Sequence, residues 1–533
     1  MDIMRRILTC LLLALLTLAC SNDHYDLIIE NGSVLDGSGK PAVKADVGIR
    51  DGRIVRIGNL RNAEADNRIN ATGLMVAPGF IDLHAHVEQI MRMPGAESHI
   101  RQGVTTVLGG PDGGGPWPLG RYLDSLSDHY ELSMNVAYLT GHNAIRRKVM
   151  GNVDRKPTPA EMDTMKAMVR RAMNEGAFGL STGLKYLPGT FSETPEVIAL
   201  AAEAGRLGGI YTSHLREEGL GLIEGVQEAI LIGREANIPI VLTHHKAMGK
   251  PMWGASKITT ALVDSARAAG LDIMMDQYPY TASHTGLGVL IPPWALEGSD
   301  EDFNKRVADK KQLAALLEGI KFNLLNDRGG GDLKNIQFAR VSWDTTLQGK
   351  TLQDYVVAKG QQPTLDNGAK AVVEMELKGG AACIFHAMSE EDVIRIMQHT
   401  QTMHASDGGL AMLGVGHPHP RAYGTFPRVL GHYVREMDVL SLEEAIRKMT
   451  SLPAERLQLH DRGVIRQGAV ADITIFDAEK VIDKSTYEKP HQYPVGILYV
   501  IVSGTVTVDP KGLTKNRAGK VLRGTDYLGT GDR

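Results

Sequence analysis

The 533-residue sequence predicts an α/β protein, a (β/α)₈ barrel of the TIM type with a small β-sandwich domain that both ends of the chain build. Three observations support this fold class. Eight candidate strands alternate with helical stretches through the middle of the chain, which is typical of a parallel sheet. Both ends contain short strands separated by Asn-Gly and Asp-Gly turns, which are typical of hairpins. The chain is also too long for one compact core.

The β-sandwich domain is predicted to combine residues 25–78 with residues 460–525. In the first segment, short apolar runs end at Asn31-Gly32 and Asp51-Gly52, which read as hairpin turns between strands. The second segment repeats this pattern of short strands and turns. Strand-rich ends around a long α/β middle indicate one domain that both termini complete.

Residues 79–459 are predicted to form the barrel. Its eight strands are expected to end, in chain order, at His84, Leu108, Leu139, Ser181, His214, His244, Asp276 and Asp407. Eight βα units in one chain favour a closed barrel over an open sheet. Residues from about 286 to 385 are too many for a simple connection between the last two strands. We expect an inserted subdomain there, lying as a lid over the C-terminal barrel face, which carries the active site in this fold.

The first 20 residues are predicted to be an export signal and not part of the fold. Two arginines precede an almost wholly apolar run at 7–19, which is too short for a comfortable membrane span. The four residues that end at Cys20 resemble a bacterial lipoprotein box, although Thr17 stands where an aliphatic residue is usual. We expect an exported, periplasmic protein that is lipid-anchored at Cys20. The alternatives are a simple signal peptide cleaved nearby and an uncleaved anchor.

The charge balance excludes a nucleic-acid-binding surface. The 58 basic and 62 acidic residues are interspersed and leave a net charge of −4, and no zinc-finger or helix-turn-helix pattern is present. Of the three cysteines, Cys10 and Cys20 belong to the predicted signal, so only Cys383 remains and no intrachain disulfide is expected. We therefore expect a small-molecule partner, no nucleic acid, and membrane contact only through Cys20.

Four histidines and one aspartate lie at the predicted C-terminal strand ends. His84 and His86 are two apart on the first strand, so their side chains point to the same side and both imidazoles can reach one ion. His214 and His244 end the fifth and sixth strands, and Asp407 ends the eighth. A single histidine at a strand end is usually structural, but imidazoles and a carboxylate together suit Zn²⁺ and similar metals. The sequence therefore predicts a metal site at this end of the barrel.

Eight motifs, spread over most of the chain, resemble those of one known family. They are PGFIDLHAH at 78–86, GVTTV at 103–107, GLSTGL at 179–184, SHLREE at 213–218, THHK at 243–246, DQYPYTA at 276–282, SDG at 406–408 and PHPRAYGTFPR at 418–428. From about residue 26 to the C-terminus, the sequence resembles the N-acyl-D-amino-acid deacylases (D-aminoacylases) of the amidohydrolase superfamily. The first motif occurs throughout the superfamily, whereas the last is close to diagnostic of the family.

The resemblance implies a zinc enzyme with one tightly bound metal ion and a second, weaker or vacant site. His214 and His244 would hold the first ion, and His84, His86 and Asp407 would lie at the second. The metal would polarise the amide carbonyl and lower the pKa of a water molecule. Asp407 would be the general base that takes the proton of this water and passes it to the leaving amine.

Three further residues compete for ligand roles. His245 is adjacent to His244, but alternation along a strand places the two on opposite sides, and the family register favours His244. The family has a cysteine as bridging ligand where this chain has Asp112. We expect Asp112 to be a metal ligand, and the alternative is that it only caps a glycine-rich turn. Lys185 is a rival anionic ligand if carbamylated, although a solvated loop charge is the preferred interpretation.

The resemblance also implies how the substrate is held. Lys246, Tyr278 and Arg421 would bind the α-carboxylate, with Ser283 in support, since arginine suits bidentate carboxylate binding. The apolar run at 287–294 contains no basic residue, so we expect it to form part of a side-chain pocket with a preference for hydrophobic D-residues.

These observations predict zinc-dependent hydrolysis of N-acyl-D-amino acids to a carboxylate and a free D-amino acid. One alternative is an exported dipeptidase that cleaves L-Xaa-D-Xaa dipeptides. An alternative of another class is a barrel that binds acylated ligands without turnover. A cyclic amidase is disfavoured, because Lys246 and Arg421 indicate a substrate with a free carboxylate.

Overall fold

The computed structural model describes residues 24–524 and residue 527. The predicted export signal and its Cys20 lie outside the described residues. Among the residues described, no helix combines the length and apolarity needed to cross a membrane. Cys383 is a buried free thiol.

The strands are numbered here in chain order, and most are short. They are β1 His24–Val34, β2 Val43–Arg50, β3 Arg53–Gly58, β4 Glu64–Asn70, β5 Met75–Pro78, β6 Phe80–Asp82, β7 Ala85–His86, β8 Val104–Gly109, β9 Asn135–Tyr138, β10 Thr140–Gly141, β11 Gly179–Gly183, β12 Ile210–His214, β13 Ile240–Leu242, β14 Ile273–Gln277, β15 Ser283–Gly286, β16 Ile336–Arg340, β17 Ala382–Phe385, β18 Thr402–His404, β19 Gly408–Gly409, β20 Ile473–Phe476, β21 Ile497–Val502, β22 Thr505–Asp509 and β23 Gly512–Leu513.

Helices fill most of the connections between the strands from β7 onward. The α-helices are Glu97–Ile100, Leu119–His129, His142–Met150, Pro159–Asn174, Thr194–Gly205, Leu222–Glu235, Ser256–Ala268, Asp300–Ala308, Lys310–Asn326, Leu352–Ala358, Leu365–Leu377, Glu390–Gln398, Arg421–Arg428, Leu442–Met449 and Ser451–Arg456. Residues Val429–Glu436 continue the thirteenth of these as a π-helix.

Strands from both ends of the chain form one nine-stranded sheet. Its order is β23-β22-β21-β20-β5-β1-β2-β3, and β4 pairs with β1. The sheet combines the same two ends of the chain as the predicted β-sandwich domain, and its hydrogen bonding is continuous because β5 pairs with β1 on one edge and with β20 on the other. The sheet packs its apolar side chains, such as Val47 and Ile475, into a separate buried cluster.

The strands of the middle region are parallel and pair in chain order, in three hydrogen-bonded groups. One group is β6-β8-β9, the second is β10-β11-β12-β13-β14-β18, and the third is the pair β7 and β19. The breaks between the groups are short, since only Leu139 separates β9 from β10. The N–H of Leu139 still donates to the carbonyl of Gly109. The parallel direction brings all of the C-terminal strand ends to one side.

The segment between β14 and β18 has a sheet and a core of its own. Strands β15, β17 and β16 form an antiparallel sheet, which begins at Ser283, slightly before the predicted start of the insertion near residue 286. Four helices between Asp300 and Leu377 pack on it around a cluster that includes Phe338 and Phe385. This arrangement places the first residues of β15 beside the C-terminal ends of the parallel strands.

Candidate metal centre

Asp112 lies between two groups of metal-binding side chains. His84, His86, Asp112 and Asp407 offer ligand atoms within 4.8 Å of one another, and so do Asp112, His214 and His244. All six predicted metal ligands therefore meet in one centre, and Asp112 belongs to both halves. The interpretation of Asp112 as a mere turn cap does not account for this shared position.

The distances around Asp112 place its two oxygens between the histidine rings. Oδ1 of Asp112 lies 3.5 Å from Nε2 of His84, 3.7 Å from Nδ1 of His214 and 3.5 Å from Nε2 of His244. Oδ2 lies 3.6 Å from Nε2 of His86. Oδ1 of Asp407 lies 3.2 Å from the same His86 nitrogen and 3.5 Å from Nε2 of His84.

Buried atoms without hydrogen-bond partners test whether this donor set fits a metal. Nε2 of His84, Nδ1 of His214, Nε2 of His244 and Oδ1 of Asp112 are all buried and have no hydrogen bond. Buried polar atoms are nearly always paired, so unpaired ones need an explanation. Four such atoms aimed at one another are explained by a cation that binds them, and nitrogen and carboxylate donors suit zinc.

Three of the six ligands lie just beyond regular strands, on a constrained backbone. Asp112, His244 and Asp407 have φ angles of 54°, 37° and 47°, in the left-handed region that residues other than glycine seldom occupy. Such strain is concentrated at functional sites. Buried carboxylates anchor two of the turns: Asp276 accepts the N–H of His244 at 2.6 Å, and Asp82 accepts the N–H of Ser406 at 2.9 Å.

Burial and neighbouring charges shift the pKa values of the ligand side chains in opposite directions. Burial lowers the pKa of His214 to about 4. Burial and Lys246 also lower the pKa of His244, but Asp112 and Glu218 outweigh them and bring it to about 9. Burial raises the pKa of Asp112, but His84 and His244 hold it well below its usual range. The carboxylate is therefore ionised, and protons compete with a metal ion at His244.

The two rival ligands lie away from the centre. His245 is buried on the other side of its strand, where Nε2 lies 2.8 Å from the hydroxyl of Thr259, and burial lowers its pKa to about 3. Lys185 is neither a ligand nor a solvated charge. Its ammonium lies 2.9 Å from the Glu217 carboxylate and 3.5 Å from Asp327, and its side chain is only 15% exposed.

Glu218 and Arg328 form a charged network under the centre that the sequence interpretation had not assigned. Oε1 of Glu218 lies 3.1 Å from Nδ1 of His244 and accepts a hydrogen bond from Lys246. Oε2 lies 3.2 Å from Nη2 of Arg328 and 3.5 Å from Nε2 of His214. Glu218 thus supports both ligand histidines from behind, as carboxylates commonly do in metal sites.

A signal for each of these residues is present in the sequence. Glu218 ends the quoted SHLREE motif, four residues after His214. Arg328 precedes three glycines within the segment between β14 and β18, which indicates a loop, and binding residues are often carried by loops.

The residues predicted to bind the substrate line the same cavity as the ligands. This cavity has a volume of about 440 Å³ and is lined in part by Lys246, Tyr278, Ser283, Arg421 and Asp407. The Arg421 guanidinium lies over the Tyr278 ring, 4.7 Å from its centroid. The hydroxyl of Ser283 is buried and has no hydrogen bond, so it is free to bind a ligand. Lys246 is already bound to Glu218 and to the carbonyl of His244.

Comparisons with known proteins agree with this site. The family model for the amidohydrolase family matches residues 68–315 and 366–508, and that for the N-terminal domain of the urease alpha-subunit matches residues 14–80. An N-acyl-D-glutamate deacylase of Alcaligenes xylosoxydans xylosoxydans is 37% identical, over 94% of this chain and 97% of the relative. A D-aminoacylase of the same organism is 34% identical, over 94% and 98%.

A solved structure extends the comparison to three dimensions. The N-acyl-D-glutamate deacylase from Bordetella bronchiseptica, in complex with zinc and a phosphonate inhibitor that mimics the tetrahedral intermediate, has a TM-score of 0.80. It is 33% identical, and the alignment covers 94% of this chain and all of that one. With six ligands in one centre and these matches along almost its whole length, the chain belongs to the amidohydrolase family.

Proposed function

We propose that this protein hydrolyses the amide bond of N-acyl-D-amino acids with zinc as its cofactor, releasing a carboxylate and a free D-amino acid. The observation that carries the proposal is a single cavity in which the ligand cluster around Asp112 faces the Arg421 and Asp407 pair. Relatives at 37% and 34% identity are an N-acyl-D-glutamate deacylase and a D-aminoacylase.

The two halves of the centre would hold zinc through different residues. His214, His244 and Asp112 would hold one ion, and His84, His86 and Asp407 would complete a second site with Asp112. When bound, zinc supplies Lewis-acid polarisation of the amide carbonyl and lowers the pKa of water. The chain supplies the remaining functions, which are to bind the carboxylate, to orient the amide and to move protons.

Asp407 is placed to be the proton carrier, and Arg421 controls how basic it is. Burial raises the pKa of Asp407, but Arg421, His84 and His86 hold it far below its usual range. A substrate carboxylate that binds Arg421 competes with Asp407 for the guanidinium. Binding of the substrate therefore raises the pKa of Asp407 toward the range in which a carboxylate accepts and returns a proton.

The deacylase activity accounts for the site better than the two alternatives. A protein that only binds acylated ligands has no need of ionised carboxylates among six converging ligands. A dipeptidase needs an acidic partner for the free α-amine of its substrate. In the catalytic cavity, Asp407 pairs with Arg421, Glu218 with Lys246 and Glu88 with His86, and the remaining carboxylate, Asp112, belongs to the ligand cluster.

We also propose that the parallel strands close into a (β/α)₈ barrel. Residues at or just beyond most of the C-terminal strand ends line one cavity, and β7 pairs with β19, which connects the first strand segment to the last. Apolar side chains from strands around the ring, including Ile81, Val241, Met274 and Met403, pack in one cluster, as expected for a barrel interior.

The proposal of export and of a lipid anchor at Cys20 rests on the sequence of residues 1–20. A cell-fractionation experiment with the full chain and a Cys20→Ser variant tests it. We expect the protein in the membrane fraction to move to the soluble periplasmic fraction in the variant. Equal distribution of both proteins would contradict the anchor.

Hydrolysis of N-acetyl-D-amino acids by the zinc-loaded protein tests the proposed function. We expect turnover of D-substrates, little turnover of their L-enantiomers, and little turnover of L-Xaa-D-Xaa dipeptides. The control is the Asp407→Asn variant, which keeps the size and shape of the side chain. Dipeptide turnover that exceeds deacylation would favour the dipeptidase, and binding without turnover would favour the non-catalytic protein.

A further inference from the structure

A second and larger cavity adjoins the catalytic one. Its volume is about 730 Å³, and it shares Tyr186, Thr285, Gly286 and Ala382 with the wall of the catalytic cavity. The two cavities are therefore neighbours along strand β15, whose first residue, Ser283, faces the catalytic cavity. A substrate held at the metal centre can extend a group past this boundary.

At the boundary between the cavities, Thr285 and Tyr186 form a polar wall, whereas the space beside Gly286 is open. The hydroxyl of Thr285 donates to the hydroxyl of Tyr186 at 3.1 Å, and the Tyr186 ring lies 4.4 Å from the ring of the ligand His214. A Cβ built on Gly286 meets no atom within 4 Å. Open space therefore begins beside the metal centre and continues into the outer cavity.

The wall of the outer cavity is mostly apolar. It includes the 3₁₀ turns Leu287–Leu290 and Pro293–Leu296 together with Phe322. The run at 287–294, which the sequence predicted to form part of a side-chain pocket, thus lines a cavity that opens onto the centre. Such a wall favours a chain of methylene groups, since their transfer from water is favourable.

Glu376 interrupts this apolar wall with a carboxylate. Its oxygens lie 3.5 Å from a Cβ built on Gly288 and 3.1 Å from one built on Gly380, and both glycines line the cavity. Glu376 is half-buried and has no ion pair among residues 24–524. Burial raises the pKa of Glu376, and Asp300 adds to this effect. A carboxylate held partly out of water gains from a cation that a ligand supplies.

The other charged groups of the cavity do not neutralise Glu376. Lys185 and Glu217 line the cavity but pair with each other. Arg340 also lines the cavity, but its side chain is exposed, so water screens its charge more strongly than that of Glu376.

We propose that the outer cavity binds a cationic group at the end of an apolar chain, and that Glu376 is the residue that selects for it. The inference rests on the proposed deacylase function and specifies its substrate class. N-acyl-D-amino acids with a basic side chain of the lysine or arginine type fit both the methylene-binding wall and the carboxylate. The same chemistry on the acyl group, such as an ω-aminoacyl chain, is the second source of such a cation.

The reach that this assignment requires is compatible with a long side chain. Ser283 and Gly288 are five positions apart in the chain, and a strand advances by about 3.3 Å per residue, so their Cα atoms are at most roughly 17 Å apart. The 3₁₀ turn that begins at Leu287 shortens this span. Glu376 therefore lies beside a wall that begins within this distance of Ser283, in the direction that a long side chain or acyl chain would take from the centre.

Substrate pairs that differ only in charge test the proposal in the zinc-loaded protein. We expect kcat/KM for N-acetyl-D-lysine to exceed that for N-acetyl-D-norleucine, and Glu376→Gln to lower this ratio by about tenfold, the scale of a partly buried ion pair. Arg340→Gln is the matched control, because it removes a charge from the same wall. We expect it to leave the ratio at or above its original value.

A comparison of N-(6-aminohexanoyl)-D-alanine with N-hexanoyl-D-alanine shows whether the cation lies on the acyl group instead.

The outcomes separate this inference from the proposed function. Two results would overturn the role of Glu376: a ratio of kcat/KM values near one in the unmodified protein, or a ratio that Glu376→Gln leaves unchanged in both substrate pairs. Deacylation of N-acetyl-D-norleucine would still support the proposed function in either case. The role of Glu376 would also be overturned if the protein preferred N-acetyl-D-glutamate to N-acetyl-D-lysine and Arg340→Gln abolished that preference. Failure to hydrolyse any N-acyl-D-amino acid would instead refute the function. Thermal unfolding of each variant shows whether it is folded.

Discussion

The guanidinium of Arg421 donates a 2.8 Å hydrogen bond to Oδ2 of Asp407, whereas Oδ1 of the same carboxylate faces Nε2 of His86 at 3.2 Å. One carboxylate therefore connects the residue predicted to bind the substrate with the half of the centre that His84 and His86 form. This contact explains why a change at either residue is expected to affect both substrate binding and proton transfer.

Asp407→Asn is expected to abolish deacylation while the protein remains folded. The amide keeps the shape of the side chain and tolerates the left-handed φ, but it is not a base. Removal of a positioned general base costs about 10²–10⁴ in rate. Steady-state kcat with matched zinc content measures the effect. Turnover within tenfold of the original value would contradict the role of Asp407.

Arg421→Gln is expected to raise KM and to move the acidic limb of the pH profile of kcat/KM to higher pH. Burial raises the pKa of Asp407, and the Arg421 guanidinium lowers it more than any other neighbour, so loss of Arg421 raises that pKa. The acidic limb of kcat/KM reports the free enzyme, so it follows in the same direction. A limb that stays in place or moves to lower pH would show that another group controls it.

His244→Asn and His245→Asn form a matched pair of adjacent substitutions. We expect His244→Asn to lose zinc, because Nε2 of His244 is one of the unpaired atoms that face Asp112. We expect His245→Asn to keep zinc and to lose thermal stability, because it breaks the 2.8 Å contact with Thr259. Elemental analysis and thermal unfolding measure both. Loss of zinc in His245→Asn alone would reverse the assignment.

Asp112→Asn is expected to lower the number of zinc ions per chain. The amide has the same shape and tolerates the positive φ of 54°, but the anionic oxygen that lies between His84, His214 and His244 is lost. Elemental analysis after dialysis measures the stoichiometry. An unchanged stoichiometry together with unchanged activity would leave Asp112 as a turn residue only.

Acid is expected to destabilise the fold through His404. Burial lowers the pKa of this histidine to about 3, and neither of its ring nitrogens has a hydrogen bond. Because the folded pKa lies below the unfolded value of about 6.5, the unfolded state binds the proton first. The contribution of neutral His404 to the free energy of unfolding is fully present above about pH 6.5 and is lost as the pH falls toward 3.

Thermal unfolding of His404→Phe at pH 7 and pH 5 measures this effect. For one such histidine, linkage lowers the free energy of unfolding by about 2 kcal/mol between pH 7 and pH 5. The unfolding temperature of the variant is therefore expected to fall less on acidification than that of the unmodified protein. The exposed His129 provides the control substitution, His129→Gln. Equal acid sensitivity in both variants and in the unmodified protein would refute the prediction.

Much of the centre could be predicted from the sequence because its ligands follow strands of regular period. His84, His86, His214 and His244 all follow buried apolar runs, and parallel strands bring their C-terminal ends together. Alternation predicts that only one of His244 and His245 faces the centre, whereas the choice of His244 came from the family resemblance. The continuous nine-stranded sheet could not be predicted, because strand pairing across about 400 residues depends on β5 meeting β20, and turn signals report only local neighbours.

The network below the centre was missed for a similar reason. Arg328 reaches Glu218 across 110 positions of the chain, through a segment with its own core, and no local pattern indicates such a contact. Lys185 was interpreted as a solvated charge because its partners, Glu217 and Asp327, also lie far along the chain.

The left-handed turns at Asp112, His244 and Asp407 also determine whether this centre could be transferred to another protein. Side chains grafted onto the regular strand ends of a different protein would match in residue type but would point in other directions, because an extended backbone does not reproduce these φ angles. Each unusual conformation costs about 1 kcal/mol or more, which the host scaffold would have to stabilise. An engineer would therefore need to transplant the turns, with the Asp276 and Asp82 carboxylates that anchor them, together with the ligands.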